Sequence, residues 1–82
     1  MDTRSRIKRE ILEALQHAEA EDGLYFENLI AVHEEEERPV VVGEQLEILE
    51  ALDELIHSGD VEADDSGEKP VFTIARRKAG GA

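Results

Sequence analysis

Residues 42–74, VGEQLEILEALDELIHSGDVEADDSGEKPVFTI, decide the fold. The first half reads as a helix of about four turns. Ile48, Leu49, Leu52, Leu55 and Ile56 recur there at helical spacing and form one apolar stripe. Glu47, Glu50, Glu54 and His57 fall on the opposite side. Ser58-Gly59 is the stop, because glycine enters the left-handed conformation without a Cβ clash. Val61 and Ala63 then alternate with Glu62 and Asp64 as a strand. An acidic bend follows at residues 64–70, with Ser66-Gly67 for the turn and Pro70 opening the return. Residues 71–75 form the β-rich returning strand.

Upstream, residues 1–21 read as a first helix, capped by Asp2, Thr3 or Ser5, with Ile7, Ile11, Leu12, Leu15 and Ala18 facing a core. Its charges oppose its own dipole: Arg4, Arg6, Lys8 and Arg9 crowd the amino end, and Glu19, Glu21 and Asp22 the carboxyl end. The i, i+4 pairs Arg6–Glu10 and Arg9–Glu13 recover only about 0.3 kcal/mol each. Helix stability therefore does not explain the arrangement, which is either a tolerated accident or a small basic patch. Asp22-Gly23 is a turn, and residues 24–26 suit a very short strand. Residues 27–33 read as a second helix, with Phe26, Leu29, Ile30 and His33 at core spacing. Glu34 to Glu37 is a self-repelling run, read as an exposed helix end or as a landing place for a basic partner. Arg38-Pro39 breaks the helix. Val40-Val41-Val42 is an extended connector that becomes sticky if one or two of its side chains face outward.

The Leu52-x-x-Leu55-x-x-x-Gly59 pattern running straight into a hairpin (residues 52–64 and 69–75) resembles the end of a winged helix-turn-helix domain. The order helix, short strand, helix, connector, helix, hairpin extends the resemblance over residues 4–76. It implies an α+β domain of three helices with a C-terminal β-hairpin wing, flanked by flexible residues 1–3 and 77–82. It further implies a superfamily used mainly in transcriptional regulation and repeatedly as a protein-interaction module. A small helical bundle with an appended hairpin is the rival architecture.

Sign decides what such a domain would do. In DNA-binding members the third helix enters the major groove. Here that position carries Glu44, Glu47, Glu50 and Glu54 with no arginine or lysine among them. A glutamate can accept a bond from cytosine, but nothing on this face neutralises phosphate. The wing, with one lysine among its acids, is equally unsuited.

The whole chain carries 21 acidic against 9 basic residues, a formal charge of −12 over 82 residues. Three readings fit: a solvated coat, adaptation to high salt (lysines occur only at 8, 69 and 78), or a surface for a basic partner. Arg4, Arg6, Lys8, Arg9, Arg76, Arg77 and Lys78 gather at the two termini. Termini often lie close together, which would make the molecule strongly dipolar.

The expected function is a non-catalytic regulatory module that binds a basic protein partner through Glu44, Glu47, Glu50, Glu54 and the wing. The alternative is a DNA-binding transcriptional regulator using the seven terminal cations, as a homodimer or in a high-salt organism. A core this small leaves room for a dimer to add burial.

No enzyme is expected. His17, His33 and His57 lie on three separate elements without metal-ligand pairing, there is no cysteine, and no phosphate-cradling loop or nucleophile motif occurs. No cofactor, metal or small-molecule substrate is implied. No run approaches the roughly 18 apolar residues of a membrane helix, so a soluble cytoplasmic protein is the expectation.

Overall fold

A computed structural model of the chain describes residues 2–32 and 34–75. The domain is α+β: α1 (Thr3–Gln16), a 3-10 turn (Ala18–Ala20), α2 (Phe26–Ile30), α3 (Gln45–Ser58), then β1 (Val61–Asp64) and β2 (Val71–Ile74). The two strands form an antiparallel hairpin with Val61 opposite Ile74 and Asp64 opposite Val71. Leu24 adds a one-residue bridge to Phe72, its amide and carbonyl exchanging bonds of 2.9 and 2.8 Å with those of Phe72. This order, with a short strand between the first two helices pairing onto the returning strand, is compatible with a winged helix.

The core lies where α1, α3 and the hairpin meet. Ile7, Ile11, Ala14 and Leu15 of α1 pack with Ile48, Ala51, Leu52 and Leu55 of α3, and Val61 and Phe72 close the hairpin side. Leu24, Leu29 and Val41 bring the short strand, α2 and the connector onto the same cluster. Burying each of the larger side chains contributes about 1.5–3 kcal/mol.

Asp2 is the residue that caps α1, its carboxylate accepting from the Ser5 amide at 2.8 Å. The helix ends at Gln16 rather than running to residue 21. His17 turns extended, and its Nδ1 accepts from the Glu19 amide at 3.1 Å, which starts the 3-10 turn. A side-chain acceptor here competes with the next helical turn. Ala18 is accordingly exposed, and Ala14 and Ala20 take the core positions.

The second helix is also shorter than residues 27–33. The Val41 amide takes the Leu29 carbonyl at 2.8 Å, and the Arg38 guanidinium takes the Asn28 carbonyl at 3.1 Å. Those two oxygens are the ones a continuing helix would offer to residues 32 and 33. With both occupied, Ala31 is extended and Ile30 stands 40 % exposed instead of entering the core. His33, also expected in the core, lies outside the described residues. The acids 34–37 consequently belong to the connector and not to a helix end.

The third helix has the expected span and stop. Gly59 adopts φ 89°, and the Asp60 amide returns to the Leu55 carbonyl at 2.9 Å, a left-handed cap that turns the chain directly into β1. Its stripe differs in one respect: Ala51 is buried, whereas Leu49 is 42 % exposed. In β1 only Val61 is buried; Ala63 faces solvent with its neighbours.

Candidate functional site

The outer surface of α3 and the hairpin loop is where the resemblance would place recognition, and the structure shows two distinct flanks there. On the flank toward α1, the Arg4 guanidinium reaches Glu50 at 2.8 Å and Glu54 at 2.5 Å, while Lys8 Nζ reaches Glu54 at 2.6 Å. Arg4 and Lys8, two of the four cations at the amino end of α1, are matched by carboxylates of α3. The acidic face and half of the basic patch are thus one mixed surface. Bonding to Lys8 is the main reason the Glu54 carboxyl lies below its ordinary range, with the fields of Lys8 and Arg4 adding to it against some desolvation.

The expected Arg6–Glu10 pair forms at 2.9 Å. The other Glu10 oxygen accepts from the Val42 amide at 3.0 Å, tying the connector to α1. Partial burial pushes the Glu10 carboxyl up, but the Val42 amide, Arg6 and the field of Arg9 together hold it below the usual value. Lys69, the lysine of the hairpin loop, folds back over the Tyr25 ring at 5.4 Å and toward Glu27 at 3.3 Å. Arg4, Arg6, Lys8, Arg38 and Lys69 therefore each face a carboxylate. Arg76, Arg77 and Lys78 lie outside the described residues.

Arg38 is the one buried charged residue among those described, with its side chain 2 % exposed. It sits 3.2 Å from Glu19 and 3.0 Å from Glu36, and donates to the Asn28 carbonyl. Glu19 also accepts from the amides of Glu37 and Arg38 at 2.8 and 3.1 Å. The Glu37 amide, foremost, and the Arg38 groups keep the Glu19 carboxyl below its ordinary value despite desolvation. From sequence, Arg38 reads only as part of a helix break. An isolated arginine within an acid run, next to a proline, was the available signal.

The opposite flank of α3 is apolar. Leu46 and Leu49, one turn apart, are 65 % and 42 % exposed, and Val42 just before the helix is 60 % exposed. Beside them, a shallow depression between α2 and the hairpin loop is lined by Tyr25, Phe26, Glu27, Ile30, Gln45, Lys69 and Pro70. Glu50 and Asp53 stand one turn beyond Leu46 and Leu49, whereas Glu44 at the helix start and Glu47 on the face of Glu54 hold no ion pair among the described residues. His57 rests 3.5 Å from Asp53, and His17 caps its own turn, so the two described histidines serve different elements. In the hairpin loop Asp64 accepts from the Ser66 amide at 3.0 Å, which holds its carboxyl low.

Comparison with protein-family models, with curated proteins and with solved structures finds no match to this chain. Among the described residues no helix is long and apolar enough to cross a membrane.

Proposed function

We propose that the chain is a non-catalytic, acidic winged-helix module of regulatory use that binds a basic protein partner through α3 and the hairpin loop. The observation that carries this reading is the pairing of Arg4 and Lys8 with Glu50 and Glu54. A duplex approaching α3 would meet Glu44, Glu47 and Asp53 directly, and could recruit Arg4 or Lys8 only by stripping them from their carboxylates. Two like charges at 4 Å repel by about 1 kcal/mol in bulk water and about 4 kcal/mol at a protein surface. Several such contacts would outweigh any bond from a glutamate to cytosine. A basic protein surface meets the same field with the favourable sign, which aids encounter rate and specificity more than raw affinity.

Three of the seven cations of the DNA-binding alternative, Arg4, Arg6 and Lys8, are engaged by carboxylates. The test uses E44K/E47K, which reverses two glutamates at the start of α3 that hold no ion pair among the described residues and leaves the α1–α3 pairs in place. The expected result is loss of a basic protein partner recovered by the wild-type chain, with no retardation of duplex DNA at low salt. Unchanged partner recovery, or a salt-sensitive complex of the wild-type chain with duplex DNA, contradicts it.

A further inference from the structure

Resting on the protein-partner reading above, we propose that the partner docks as a basic amphipathic helix, its apolar stripe covering Leu46 and Leu49 and its flanking cations meeting the acids around them. The patch has the anatomy of a recognition site: the exposed aliphatic side chains Leu46 and Leu49 share one face of α3, with Glu50 and Asp53 one turn further along the same face. Ile30, 40 % exposed, lines with Gln45 the shallow depression between α2 and the hairpin loop, and Gln45 lies one turn before Leu49. An exposed aliphatic stripe on a helix packs against a second helix presenting anchors at i, i+3, i+4 and i+7.

Charge complementarity selects the occupant. A second copy of this chain would set one acidic rim against another in a molecule of net charge −12. A neutral apolar helix would leave the rim carboxylates desolvated and unpaired. Lysines or arginines beside the stripe satisfy both requirements. Leu46 and Leu49 contribute little to the fold at these exposures, so truncating them tests docking and not folding.

The experiment titrates the full chain by calorimetry with three synthetic peptides of about 18 residues, roughly five helical turns. One has a leucine stripe at helical spacing flanked by lysines. The second has the same composition scrambled to destroy the stripe, and the third keeps the stripe with glutamine for lysine. The striped lysine peptide is expected to bind about tenfold or more tightly than either control. L46A/L49A should lower its affinity by about tenfold, the effect of two central aliphatic anchors. A scrambled peptide that binds as well overturns the helix-docking proposal and leaves the basic-partner reading standing. A glutamine peptide that binds as well removes the charge reading and the proposal with it. Absence of binding by all three overturns the proposal, while the E44K/E47K capture above decides the broader reading independently. A dimer in sedimentation that L46A/L49A dissociates assigns the patch to a second copy and likewise overturns it.

Discussion

Arg4 and Glu54 are 50 positions apart in sequence, yet the guanidinium meets the carboxylate at 2.5 Å while also holding Glu50. This contact joins the start of α1 to the middle of α3 and turns an apparent acidic wall into a partly neutralised seam. Reversing Glu54 to lysine would place a third cation beside Arg4 and Lys8. E54K is therefore expected to lower the thermal midpoint clearly more than E47K, with the difference shrinking in high salt as screening sets in. Differential scanning calorimetry at two salt concentrations checks it; equal midpoints for the two variants would contradict the pairing.

Arg38 should be the most sensitive charged position. R38A removes the side-chain donor of the Asn28 carbonyl and the guanidinium beside Glu19, which keeps only the Glu37 and Arg38 amides. An orphaned buried acceptor costs about 1–3 kcal/mol. The connector is expected to loosen first, seen as faster hydrogen exchange at the Val41 amide, which pairs with Leu29. Urea denaturation reads the loss of stability.

Gly23 adopts φ 96°, and a Cβ there would collide with the Val71 and Thr73 side chains. G23A is expected to destabilise by about 1–3 kcal/mol from backbone strain. The Leu24–Phe72 bridge lies next to the collision, so the Leu24 and Phe72 amides should lose protection before those of α3. A stability equal to wild type would show that the turn can open without consequence.

The carboxyls of Glu10, Glu19, Glu54 and Asp64 all lie below their ordinary values, 4.5 for glutamate and 3.8 for aspartate. A group whose folded pKa is depressed adds stability above its unfolded pKa, and that stability is lost as pH falls through the folded value. The chain should hold its melting midpoint from neutral pH down to about 5 and lose it progressively through and below the ordinary carboxylate range. E10Q and E19Q should each start less stable and show a shallower decline. A midpoint that rises on acidification would mean that repulsion among the acids outweighs these bonds.

Much of the fold was legible because α3 and its exit are locally specified. Leu52, Leu55, Gly59 and Val61 state periodicity, stop and strand in consecutive residues, and the structure uses them so. The first two helices were overestimated because their ends depend on partners remote in sequence. His17 supplies a local competing acceptor, whereas α2 is cut short by Arg38 and Val41, and no periodicity shows that. At the candidate site the sign of α3 could be read directly. Its internal neutralisation could not, since nothing in the chain announces that Arg4 and Lys8 will lie against Glu50 and Glu54. Leucine at a near-core position fits a stripe, so Leu49 reads as core; Ala51, smaller and fully buried, fills that role instead.

The most direct measurement is a pair of amide chemical-shift titrations of the full chain at low salt, one with duplex DNA and one with the lysine-flanked striped peptide. The peptide should shift amides at Leu46, Leu49 and Ile30, and the duplex should leave residues 45–58 and 65–70 unmoved. Shifts along α3 and the hairpin loop on adding duplex, with none on adding peptide, would contradict the account.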